Sequence, residues 1–84
     1  MSLYYTYILR SKVTQRLYKG HTSNLEERIK LHNKGKTKST KNGIPWILIY
    51  SERFPTREQA IKRERYFKTA AGRRWIQKNV NIDI

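Results

Sequence analysis

No cysteine occurs anywhere in the 84 residues, so one small core must hold this chain folded without covalent help. The same absence excludes a disulfide framework, a cysteine-ligated zinc site and a thiol nucleophile. Any metal must be held by oxygen or histidine. A chain of this length makes a single domain, spanning residues 1–84 with its core at about 4–76, and buries only about 60–65% of its unfolded surface. Aromatic side chains must supply much of that core, and six Tyr, two Trp and two Phe are present.

Charge narrows the partners. Nineteen Lys and Arg against six acidic residues give a net charge of +13, a field that attracts polyanions, and nucleic acid is the simplest ligand. A basic surface that is only solvated is the plainer alternative. An anionic membrane fits less well, because the basic residues run along the whole chain and no helix joins them to a broad exposed apolar face. The first residues form no signal-peptide core. The longest apolar run, Trp46 to Tyr50, falls far short of the roughly 20 residues that span a bilayer, so a cytoplasmic monomer is expected.

Leu3 to Arg10 is rich in Tyr, Ile, Leu and Thr and predicts a buried strand, with Tyr5, Tyr7 and Leu9 on one face. Ser11 to Gln15 reads as a hairpin connection to a second strand, Arg16 to His21, in which Tyr18 and Gly20 face opposite to Leu17 and Lys19. Asn24 and Glu27 have the spacing of a capping box, and Gly35 is placed to end the helix, giving Leu25 to Lys34. The glycine-flanked, basic stretch from Lys34 to Gly43 predicts a mobile loop. A third strand follows from Trp46 to Phe54. Thr56 and Gln59 form a second capping box for a helix reaching Thr69, Gly72 is expected to interrupt it, and a last helix from Arg73 to Asn79 docks Trp75 and Ile76. Asn81 to Ile84 remain as a tail. The order is β-β-α-β-α-α.

Polar residues stand where apolar ones belong. At about 100° per residue, Leu25, Arg28, Ile29 and His32 share one stripe of the first helix. Arg28 and His32, one turn apart, therefore mark a site at the edge of the core; the alternative is an arginine that snorkels outward and a satisfied core histidine. On the second helix Ala60, Glu64, Phe67 and Ala71 align, with Glu64 inside the apolar stripe. Glu is rarely buried without a partner or a metal, and Lys62, Arg63 or Arg65 offers the structural alternative of a salt bridge. Tyr7, Tyr18, Arg28, His32 and Glu64 together make a phosphodiesterase set. A lone carboxylate suits Mg²⁺, a guanidinium clamps phosphate charge, and Tyr or His moves a proton.

With these residues in view the sequence resembles the GIY-YIG endonuclease superfamily, and in particular its small stand-alone bacterial members of the UPF0213 type. Tyr5-Thr6-Tyr7 stands at the GIY position and Tyr18-Lys19-Gly20 at the YIG position. His21 to Gly35 resembles the family's arginine-bearing helix, and Trp46 to Tyr50 followed by Ala60 to Glu64 resembles its later strand and its metal-binding helix. The resemblance implies an α+β fold, a three-stranded antiparallel sheet flanked by helices, and hydrolysis of a DNA phosphodiester with one Mg²⁺ or Mn²⁺ ion. It makes Glu64 the metal ligand, Arg28 the phosphate clamp, Tyr7 and Tyr18 the motif tyrosines with Tyr7 activating water, and His32 a tyrosine holder or proton shuttle. Tyr5 and Lys19 depart from the motif, Asn79 is the available counterpart of a family Asn, and the separate DNA-recognition domain of larger members is not expected.

The expected function is thus a DNA endonuclease or nickase of low sequence specificity, structure-selective, in DNA repair or processing. Lys34, Lys36, Lys38, Lys41, Arg63 and Arg65 are expected to contact nucleic acid, DNA before RNA, so that affinity falls steeply with salt. The alternative is a non-catalytic basic nucleic-acid-binding module of the same fold.

Overall fold

The structure, a computed structural model, describes residues 3–82. Its elements are β1 (Tyr4–Ser11), β2 (Leu17–Thr22), α1 (Leu25–Asn33), a 3-10 turn (Lys41–Gly43), β3 (Trp46–Phe54), α2 (Arg57–Phe67) and α3 (Ala70–Asn79). They follow the expected β-β-α-β-α-α order. The three strands form one antiparallel sheet in the order β2-β1-β3, with Tyr7 opposite Gly20 on one side and Ser51 on the other. Among the described residues no helix is long and apolar enough to cross a membrane.

Because β1 is central and covered on both faces, Thr6, Tyr7, Ile8 and Leu9 are all fully buried. Alternation then divides the core in two. Tyr7, Leu9 and Trp46 pack with Tyr18, Leu25, Ile29 and Ile44 beneath α1. Ile8 packs with Phe67, Ile76 and Val80 beneath α2 and α3, where Trp75 joins them. The Thr6 hydroxyl donates to the Ala60 carbonyl at 2.7 Å, fixing α2 close above β1 where Ala60 is itself buried.

Local signals set the helix ends. The Asn24 side chain accepts from the Glu27 amide at 3.1 Å and that of Thr56 from the Gln59 amide at 3.3 Å, so both expected caps form. Gly72, however, does not break a helix. The Thr69 hydroxyl caps α3 by accepting from the Gly72 amide at 3.0 Å, and the helix begins at Ala70. A Cβ on Gly72 would lie 1.8 Å from the Tyr66 carbonyl oxygen, so this glycine lets α2 and α3 meet at a sharp corner. The same corner ends α2 at Phe67, which leaves Ala71 exposed rather than on the inward stripe.

The segment from Lys34 to Gly43 is docked rather than mobile. Thr40 is 1% exposed and its carbonyl accepts from the Trp46 indole at 2.7 Å. The Asn33 side chain brackets Trp46, accepting from its amide at 2.6 Å and donating to its carbonyl at 3.0 Å. The buried Ser11 hydroxyl donates to the Gly43 carbonyl at 2.6 Å and accepts from the Val13 and Thr14 amides, tying the segment to the hairpin turn. Backbone groups that a mobile loop would leave to water are thus satisfied by protein. Of the expected tail, Asp83 and Ile84 lie outside the described residues.

Candidate active site

Tyr7 stands at the middle of β1, and its ring lies across Gly20 on the neighbouring strand. A Cβ at Gly20 would come within 2.6 Å of the Tyr7 hydroxyl, so only glycine leaves room for this pose. The hydroxyl meets His32 Nε2 at 2.9 Å, and His32 Nδ1 meets the Thr40 hydroxyl at 2.8 Å. Thr40 in turn donates to the Thr37 carbonyl at 3.3 Å, so its oxygen accepts from Nδ1–H. That assigns the tautomer: Nε2 is the acceptor and the Tyr7 O–H is the donor. All three side chains are buried.

Tyr18 completes the pocket. Its ring centroid lies 4.8 Å from that of His32, 6.2 Å from that of Tyr7 and 6.3 Å from that of Trp46. Arg28, one turn before His32 on α1, faces the hydroxyls of both tyrosines, and interaction with Tyr7 raises its already high pKa. Burial pushes Tyr7 up to about 12 despite the opposing Arg28 guanidinium, so the phenol is protonated at neutral pH. Burial and then the Arg28 charge lower His32 below the usual imidazole range, which keeps it neutral. Both protonation states agree with the hydrogen-bond directions.

Glu64 approaches from the other side of the sheet, where α2 packs on β2. Its carboxylate meets His21 Nδ1 at 2.5 Å through one oxygen and Lys68 Nζ at 2.7 Å through the other. Burial alone would raise this carboxyl, but the hydrogen bonds from Lys68 and His21 outweigh it and hold the group below its ordinary value. The carboxylate is close enough for its charge to disfavour ionisation of Tyr7. His21 and Lys68 went unnoticed in the sequence. Lys68 stood four residues after Glu64, at helical pairing distance, and alternation put His21 with Leu17 and Lys19 on the face of β2 opposite Tyr18.

Among the described residues no group of three or more His, Cys, Asp or Glu side chains could cage a metal. The donors that remain still suit a hard divalent cation. Glu64 is ionised, and a carboxylate has about four lone-pair positions, of which His21 and Lys68 take two. Mg²⁺ commonly binds through one or two carboxylates and completes its shell with water and phosphate oxygens.

The basic residues divide into two groups. Lys34, Lys36, Lys38 and Lys41 are exposed on the docked segment beside His32, and Arg65 is exposed on α2. Arg63, expected to contact nucleic acid, is instead committed inward. It donates to both Glu52 oxygens at 2.9 and 3.2 Å, and its guanidinium lies over the rings of Tyr66, Phe67 and Trp75. The period-two pattern of β3 gave no hint that Glu52 would face it. Asn79 donates to the Trp75 carbonyl at 2.9 Å at the exposed end of α3 and has no hydrogen bond to the residues above.

Comparison with known proteins agrees with this architecture. The GIY-YIG catalytic domain model matches residues 3–79. The chain is similar to the UPF0213 protein SH2523 of Staphylococcus haemolyticus, with 43% identity over 70 residues that cover 82% of this chain and 84% of that one. It is similar also to the UPF0213 protein CPE1444 of Clostridium perfringens, with 46% identity over 65 residues, 76% of this chain and 69% of the other. In three dimensions it resembles the solution NMR structure of the UPF0213 protein BH0048 from Bacillus halodurans. That match has a TM-score of 0.54 and 34% identity, covering 90% of this chain and 81% of that one.

Proposed function

The chain belongs to the GIY-YIG catalytic-domain family, and we propose that it is a divalent-metal-dependent endonuclease or nickase that acts on DNA as one cytoplasmic domain, with low sequence specificity, in repair or processing. The observation that carries this reading is the buried Tyr7–His32–Thr40 relay with Arg28 at its mouth. A neutral histidine that accepts from a tyrosine hydroxyl beside a guanidinium is an arrangement through which a proton can be passed.

Glu64 would hold the metal, whose chemistry is to polarise a phosphate oxygen and neutralise developing charge. Arg28 binds the scissile phosphate, and its planar fork suits two oxygens at once. Tyr7 hands its proton to His32 Nε2 as its own oxygen takes one from the attacking water. The water oxygen then joins phosphorus, one ester P–O bond breaks, and the leaving oxygen is protonated from solvent. Burial holds the His32 pKa down throughout, and a phosphate on Arg28 screens the second, smaller cause, the guanidinium charge. Tyr18 packs against His32 and Tyr7 and holds both rings in place.

Tyr7→Phe is therefore expected to lower kcat by about 10²–10³, within the range of general acid–base contributions. It leaves His32 Nε2 unpaired at a cost of about 1–3 kcal/mol, small enough for the fold to persist. Single-turnover cleavage checked against a thermal melt tests this. A folded variant that cuts within tenfold of wild type removes the relay from the chemistry.

One observation favours a binding-only module instead: both Glu64 oxygens already have protein partners in His21 and Lys68. Such a module binds DNA equally with and without Mg²⁺, and Glu64→Ala strengthens its binding slightly by removing a negative charge.

A further inference from the structure

Lys19 lies between Tyr18 and Gly20, yet alternation along β2 turns it away from the Tyr7 pocket, toward α2 and α3. There it lines a cavity of about 410 Å³ with Arg16 and Arg73, whose apolar wall includes Leu17 and Ile76. Lys19 is only partly exposed. Among the described residues no carboxylate pairs with Arg16, Lys19 or Arg73, whereas Glu52 and Glu64 each hold a cation of their own. Lys19 shares a face of β2 with His21, the partner of Glu64, so the cavity lies on the same side of the sheet as the proposed metal ligand.

We propose that this cavity between β2 and α3 is a second phosphate-binding site, which holds the backbone of the bound nucleic acid beyond the scissile phosphate. The assignment rests on the reading of the chain as an enzyme acting on nucleic acid. Three cations lining a concave surface with no counter-charge among the described residues repel one another, and burial, Arg73 and Lys68 all lower the Lys19 pKa. An anion relieves that repulsion. The strand therefore runs from Arg28, past Glu64 and around the edge strand β2, to Lys19 and Arg73. A lysine at the middle of the second motif then serves binding where an apolar residue would serve only packing.

The test compares Lys19→Gln/Arg73→Gln with Lys12→Gln/Arg53→Gln, which removes the same charge from exposed positions away from the cavity. Affinity for a labelled duplex is measured against salt, and cleavage of the same duplex is followed in parallel. Losing two phosphate contacts lowers the slope of log K against log salt by about 1.8, and the control pair leaves it near the wild-type value. Equal slopes for the two pairs overturn the site, even if the wild type cuts DNA. A wild type that cuts nothing while only the cavity pair loses slope removes the nuclease reading and leaves the site standing. Lys19→Gln alone relieves like-charge crowding and raises or preserves the melting temperature. It keeps the comparison decisive, at half the slope change, should the double variant fail to fold.

Discussion

Gly72→Ala is expected to destabilise the protein by about 3 kcal/mol or more, at the upper end of the cost of overpacking. Helix propensity alone predicts the opposite sign, since alanine is better than glycine by about 1 kcal/mol inside a helix. The new Cβ would stand 1.8 Å from the Tyr66 carbonyl oxygen and 2.7 Å from the Phe67 Cα. These are backbone atoms and cannot rotate away, so α3 must lift from α2 and loosen Phe67 and Ile76, which are fully buried or nearly so. For a domain of this size each kcal/mol moves the melting temperature by about 4–8 °C, so a fall of roughly 12–24 °C is expected by calorimetry. A variant that melts at or above the wild-type temperature would show that the corner between the helices is not the close contact described.

Arg28→Ala is expected to lower kcat by about 10²–10³, comparable to removing one donor from a developing oxyanion. The pH profile should separate this from simple loss of packing. Arg28 lowers the His32 pKa, so its removal lets that pKa rise toward the ordinary imidazole value, with burial alone still holding it down. Cleavage requires neutral His32 and is lost as pH falls through its pKa, so the acid limb of the residual kcat/KM, which reports the free enzyme, moves to higher pH in the variant. Arg28→Lys retains most of the charge, and with it the position of the acid limb, but loses the two-pronged grip on phosphate. An unmoved acid limb in Arg28→Ala would mean that the titrating group is not His32.

Much of this was legible in the sequence because the signals were local. Strand alternation, two capping boxes and inward polar residues gave the element order and brought forward Tyr7, Tyr18, Arg28, His32 and Glu64. Long-range pairing was not legible. Thr40 reads as one polar residue in a basic loop, and only the docking of that loop on Trp46 and Ser11 puts its hydroxyl behind His32. His21 and Glu64 are brought together by α2 packing on β2, which no spacing along the chain reveals. Arg63 was misread because charge shows at sequence level while its aromatic seat and Glu52 do not. Gly72 was misread because glycine weakens a helix by propensity, yet here it answers a steric demand from another helix.

The decisive measurement is cleavage of labelled single-stranded, duplex, nicked, flap and four-way-junction DNA by wild type and Glu64→Ala, each with Mg²⁺ and with EDTA. The account predicts that wild type cuts at least one of these with Mg²⁺ and that both EDTA and Glu64→Ala abolish the cut while binding persists. Binding to every DNA with no cleavage by wild type, or cleavage that survives Glu64→Ala, would contradict it.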